Sequence, residues 1–257
     1  MKQPRKTTIC MIIFLAALLG SCQFSESMSS PSVEPTLRNT PMPRFPGEEI
    51  NFTTSDGLTI YGKIYRGGGD LAVILAHQRT PTMDQKSWQF FAEELANRDY
   101  TALTFNFRGM GRSEGDINLM ENLVVEDTRA AIDFLLQEGF TRVVCIGAEM
   151  GGTTCLEAAQ DHELAGVVVI TAVLSLGEPT VISDEDLANL EMPKLFICSQ
   201  DNPFERIPGH MQTMYDQSPE PKELIWFPGE SHGTEMFYSS YKDEFKQSLL
   251  DFLEDLR

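Results

Sequence analysis

Gly147-Ala148-Glu149-Met150-Gly151-Gly152 decides how this chain is read. The residues before it, Arg142-Val143-Val144-Cys145-Ile146, have the length and β-branched content of a short buried strand, and Thr153 to Gln160 is a helix-compatible run. Small residues on both sides of 149 let a strand turn sharply into a helix and lift one side chain clear of the sheet. This is the setting of the pattern G-x-S-x-G, where a serine nucleophile occupies the bend. Here the bend carries glutamate.

Working outward, strands and helices alternate. Ile50 to Thr54 and Leu58 to Tyr65 flank the turn signal Ser55-Asp56-Gly57, which predicts a hairpin. Leu71 to Ala76 is unbroken apolar sequence, as in a strand covered on both faces. Trp88 to Arg98 has helical spacing, Thr101 to Phe107 reads as a strand, and Leu123 to Leu136 as a helix. Gly166–Thr171, Lys194–Cys198 and Glu223–Phe227 supply further strands, and Phe245 to Leu256 an amphipathic closing helix. Such alternation predicts an α/β fold, a doubly wound and mostly parallel sheet with helices on both faces. Residues 172–192 read as a loop with a short acidic helix, room for a minimal lid over an open pocket.

The N-terminus reads differently. Lys2, Arg5 and Lys6 precede an apolar run, Ile9 to Leu19, that is short for a membrane span. Leu19-Gly20-Ser21-Cys22 resembles the lipobox of bacterial lipoproteins, which implies removal of residues 1–21 and acylation of Cys22. Residues 22–48 are Ser- and Pro-rich, a flexible tether, and 49–257 form the folded domain. The expectation is a cell-envelope protein held to a membrane by the lipid on Cys22 and exposed outside the cytoplasm. Gln23, where an aspartate would signal retention at the inner membrane, points outward.

Net charge is −18, and −21 once three basic residues leave with the signal. That surface repels phosphate backbones and anionic headgroups, which excludes nucleic acid as a partner. The folded domain keeps Cys145, Cys155 and Cys198; an odd count hints at one disulfide and a spare, but buried apolar thiols are the preferred reading.

Four ordered motifs make residues 49–257 resemble the α/β-hydrolase superfamily, and within it the small dienelactone-hydrolase-like or serine-aminopeptidase-like branch. They are Leu75-Ala76-His77-Gln78 with Asp84-Gln85-Lys86-Ser87-Trp88, then Phe105 to Gly115, then the bend at Glu149, then Pro228-Gly229-Glu230-Ser231-His232-Gly233. The resemblance implies that His232 is the catalytic base and that the backbone amides of Gln78 and Met150 form the oxyanion hole. It also asks for an acid after the strand ending near Cys198. Asp201 is the assignment; a shifted alignment puts Asn202 there instead, with loss of the acid, and Glu230 is a less well-placed substitute. His77 is read as structural, and His162 and His210 as solvated. Arg79, beside Gln78, is either solvent-exposed or placed to pair with Glu149 and lower its pKa. Arg108 and Arg112 are expected to shape their own loop.

Two functions compete. In the first, the elbow has lost ordinary serine-esterase chemistry: Glu149 plugs the oxyanion hole, and the protein binds a small ligand or partner. In the second, Glu149 acts as carboxylate nucleophile or general base with His232. Haloalkane dehalogenases and epoxide hydrolases use an aspartate that way on this fold, but glutamate is one methylene longer, and a misplacement of about 1 Å costs on the order of 100-fold. The tryptophan expected beside such a nucleophile is Met150 here. A metal site from Glu149, His232 and Asp201 lacks ligand spacing, so no metal and no cofactor is expected.

Overall fold

The structure, a computed structural model, describes residues 46–80, 84–117 and 123–257. The export segment, Cys22 and the tether up to residue 45 lie outside the described residues. In chain order the elements are β1 (Glu48–Thr53), β2 (Thr59–Tyr65), β3 (Leu71–Ala76), α1 (Gln89–Asn97), β4 (Thr101–Phe105), α2 (Val124–Gln137), β5 (Arg142–Ala148) and α3 (Met150–Ala158). Then come β6 (Gly166–Ile170), β7 (Ser175–Gly177), β8 (Thr180–Val181), α4 (Asp184–Ala188), β9 (Lys194–Ser199), α5 (Arg206–Gln217), β10 (Lys222–Phe227) and α6 (Lys242–Asp255). Among the described residues no helix is long and apolar enough to cross a membrane.

Eight strands form one sheet in the order β1-β2-β4-β3-β5-β6-β9-β10. β1 and β2 pair antiparallel, as does β2 with β4, and every later pairing is parallel. The unbroken apolar strands sit in the middle because both of their faces are covered. In β3, Ala72, Ile74 and Ala76 enter one core while Leu71, Val73 and Leu75 enter the other. This is the two-residue period of a strand feeding two helix layers. From β3 the chain steps to β4 on one side and then crosses to β5 on the other. Loops leaving β3 and β5 are therefore adjacent, at the point of an open α/β sheet where a ligand crevice forms.

Between β6 and β9 the short acidic helix is α4, and the stretch read as loop also contains the short β7–β8 ladder. Helix α4 starts on a capping box, with the Ser183 hydroxyl accepting from the Asp186 amide and the Asp186 carboxylate accepting from Ser183 N–H.

The thiol reading is corrected. Cys145 on β5 and Cys155 on α3 form a disulfide with Cα atoms 5.7 Å apart, and Cys198 is free and buried. The reason is the elbow itself, which folds α3 back over β5 so that positions ten apart in sequence face each other. Burial pushes the Cys198 thiol up to about 12, so it stays protonated.

Candidate active site

Glu149 occupies the bend between β5 and α3 with φ 49° and ψ −111°, a conformation costly for a residue with a Cβ. Its neighbours make the bend possible. A Cβ on Gly147 would strike the Gly151 backbone, and one on Gly151 the Ala76 carbonyl. The Glu149 amide donates to Ile170 O at 2.8 Å, fixing the bend to the end of β6. The side chain is half-buried, and its Oε2 accepts the Arg79 backbone N–H at 2.8 Å. Burial raises the Glu149 pKa above the ordinary carboxylate range. The backbone amides of Arg79 and Met150 and the charges of Arg79 and Arg206 oppose that rise without cancelling it.

One sequence expectation changes here, and one open alternative closes. The loop amide that meets Glu149 belongs to Arg79, not Gln78, and the Met150 amide acts on the carboxylate by lowering its pKa. Nor does Arg79 pair with Glu149 through its guanidinium. The side chain is exposed, and the contact is made by its main chain. Gln78 has another task. It is fully buried, and its Oε1 accepts from Thr234 N at 2.6 Å and Thr234 Oγ1 at 3.0 Å. One side chain thus ties the loop after β3 to the loop carrying His232. Gly233 N–H donates to Thr171 Oγ1 at 2.9 Å, tying the same loop to the end of β6. The Gly233 backbone, at φ 54°, leaves no room for a side chain beside Gln78.

His232 is buried, and burial lowers its pKa to about 4. The Phe204 ring closes over it edge-on, with centroids 4.8 Å apart. The residue facing its Nδ1 is Asn202, through Nδ2 at 3.4 Å, and not Asp201, which is exposed. The chain passes β9 in such a way that 202 turns inward and 201 outward, with Asp201 N–H bound to Gly229 O. Phe204 N–H donates to Asn202 Oδ1 at 3.1 Å, and Asn202 Nδ2 also donates to Ser199 Oγ at 3.0 Å. These partners set the amide's orientation, so Nδ2 is the atom presented to the imidazole. An N–H aimed at Nδ1 makes that nitrogen an acceptor and leaves the ring proton on Nε2. A general base of the serine-hydrolase kind needs the opposite tautomer. No hydrogen bond joins His232 to Glu149, and Glu230 makes none to the imidazole.

The remaining candidates are supports. His77 is fully buried; its Nδ1–H donates to Gln78 O at 2.8 Å and its Nε2 accepts from Phe107 N–H at 3.2 Å. Arg108 is buried and bridges Asp127 at 2.7 Å and Asp56 at 2.8 Å, holding the loop after β4. Arg112 lies 4.3 Å over the Tyr61 ring and pairs with exposed Glu49. His210 is half-buried on α5, where its Nδ1 accepts from Leu174 N–H at 3.2 Å. Among the described residues no group of three His, Cys, Asp or Glu side chains is placed to hold a metal ion.

Glu149 opens into a cleft of about 580 Å³ lined by Arg79, Thr80, Met110, Ile117, Val173, Ser175, Leu176, Phe204 and Arg206. That volume suits a small organic molecule. Chemically the arrangement has a carboxylate seated on the Arg79 amide and an imidazole carrying its proton on the wrong nitrogen for a base.

The family model of the alpha/beta hydrolase fold matches residues 72–196. No curated protein matches the chain. Among solved structures, the Pyrococcus furiosus esterase Pf2001 is 17% identical with a TM-score of 0.69, covering 82% of this chain and 91% of that one. A thermophilic esterase from Thermogutta terrifontis is 17% identical with a TM-score of 0.66, covering 81% and 99%. The Paleococcus ferrophilus monoacylglycerol lipase is 15% identical with a TM-score of 0.65, covering 77% and 99%. At such identities the likeness speaks for architecture alone, and it agrees with the sheet order, the elbow and the crevice. The chain has the alpha/beta hydrolase fold.

Proposed function

We propose that this protein is a lipid-anchored member of the ester and small-carbonyl hydrolase lineage that has lost serine-esterase chemistry and binds a small molecule in the cleft above Glu149. One observation carries the reading: Glu149 Oε2 sits 2.8 Å from the Arg79 amide, filling the position a substrate oxyanion would take. The tautomer that Asn202 imposes on His232 supports it, because water and nucleophile alike go without a base. The same two facts weigh against Glu149 as nucleophile, since a carboxylate engaged by amides is less free to attack. The short insertion between β6 and β9 suits the small dienelactone-hydrolase-like branch. Anchoring through Cys22 outside the cytoplasm rests on the lipobox and is in keeping with the disulfide beneath the elbow.

The test is turnover of small activated esters by the wild-type protein and by His232→Ala. The expected result is no enzymatic rate in either. Wild-type turnover that His232→Ala abolishes would overturn the binding reading. Single-turnover labelling of Glu149 by heavy-oxygen water would establish the carboxylate mechanism in its place.

A further inference from the structure

Acidic side chains outnumber basic ones 38 to 20, and the arginines show how thoroughly the chain uses its cations. Arg66, Arg98, Arg108, Arg112, Arg129, Arg142 and Arg257 all make ion pairs. Among the described residues only Arg79 and Arg206 make none, and both line the cleft over Glu149. They come from different elements, Arg79 from the loop after β3 and Arg206 from the start of α5, and both are exposed. Each is close enough to depress the Glu149 pKa, yet neither guanidinium bonds to it.

Two guanidinium groups without an ion-pair partner line one cavity of an acidic protein, and an anion entering it would meet both. Glu149 answers at most one positive charge, and its Oε2 is already engaged by the Arg79 main-chain amide. The other walls are mixed. Met110, Ile117, Val173, Leu176 and Phe204 give an apolar lining, and the buried Thr80 hydroxyl has no hydrogen-bond partner among the described residues. Guanidinium forks match the paired oxygens of a carboxylate or phosphate, and the apolar wall matches a short hydrocarbon body.

We propose that the cleft binds an anionic small molecule, an oxyanion headgroup held by Arg79 and Arg206 with an apolar body of a few carbons against Phe204 and Leu176. The proposal rests on the cleft being a binding site and adds the ligand's charge and shape.

Calorimetric titration of the full-length protein with hexanoate, hexyl phosphate and uncharged 1-hexanol tests it. The variants are Arg79→Gln, Arg206→Gln, the double variant, and Arg112→Gln as a surface control. At least one anion should bind more tightly than 1-hexanol, and added salt should weaken it. Each cleft substitution should lower anion affinity about tenfold, with 1-hexanol and the Arg112→Gln protein unaffected. Glu149→Gln should tighten anion binding by removing a like charge, which a purely structural role for the arginines does not predict. Preference for hexanoate identifies the headgroup as carboxylate, and preference for hexyl phosphate identifies it as phosphate. The proposal falls if no anion binds at millimolar concentration. It falls equally if 1-hexanol binds as tightly as the anions, or if the double variant matches wild type. Ester turnover that depends on His232 would strike the binding-only reading while leaving the charge preference standing, so the two failures are distinct.

Discussion

If serine-esterase chemistry has been lost as proposed, rebuilding it takes two substitutions, Glu149→Ser and Asn202→Asp, and the geometry says how the gain should divide between them. Removing the carboxylate frees the Arg79 amide, now 2.8 Å from Oε2, and the Met150 amide beside it. A donor at that distance is already in the range an oxyanion needs, and one such donor contributes about 10²–10³ in kcat. Serine adds the nucleophile, but with Asn202 still donating to Nδ1 the imidazole keeps its proton on Nε2. In a serine triad that wrong tautomer costs about 10⁴ in kcat. Glu149→Ser alone should therefore be a weak esterase, and the double variant should exceed it by about 10³–10⁴. The second change is nearly isosteric. An aspartate still accepts the Phe204 N–H that Asn202 Oδ1 accepts at 3.1 Å, and the Ser199 hydroxyl can turn to donate. The assay is kcat/KM on p-nitrophenyl butyrate at pH 8, with circular dichroism confirming the fold and a third variant adding His232→Ala. A double variant no faster than Glu149→Ser refutes the tautomer argument. A rate that survives His232→Ala shows that this imidazole does not serve residue 149.

Three further outcomes follow from the same geometry. By NMR, His232 should stay neutral down to about pH 4, since burial depresses its pKa, and Phe204→Ala should raise that value by admitting water; titration of the wild-type ring near 6.5 would contradict both. Because the folded pKa lies below the unfolded one, the stability this histidine contributes is present above pH 6.5 and is lost as pH falls towards 4. Replacing Cys145 and Cys155 together by alanine should cost about 3 kcal/mol in urea unfolding, from the entropy of a closed loop of roughly ten residues; an unchanged midpoint would mean the bridge does not constrain the unfolded chain. Asp127→Ala should cost about 3–5 kcal/mol by leaving the buried Arg108 with one partner, Asp56, at the surface, and a loss below 1 kcal/mol would refute that.

Much of the scaffold was legible in the chain. Leu71–Ala76 and Gly166–Ile170 announce central strands because burial on both faces leaves no polar alternation, and Gly147 with Gly151 announces the elbow because only glycine clears the neighbouring backbone. Helix α5 was not legible: proline and glycine disfavour helix interiors, yet Pro208 falls in the first helical turn, where a proline lacks only an N–H that would go unbonded. Two positions beside the bend were legible only to within one residue. Gln78 against Arg79, and Asp201 against Asn202, are questions of which side of a loop a group faces, and no periodicity governs a loop. The disulfide depends on how tightly a helix returns over its strand, a distance that spacing alone does not supply. Phe204 and Arg206 carried no motif; the segment between β9 and α5 sets Phe204 against His232 and brings both residues to the cleft.

The carboxylate at the elbow also decides how such a protein is noticed. Fluorophosphonate probes find serine hydrolases by capturing an activated hydroxyl, and position 149 offers none. A survey by covalent labelling would pass this molecule by, whereas one that fishes with an immobilised anionic ligand would retain it if the proposed binding holds.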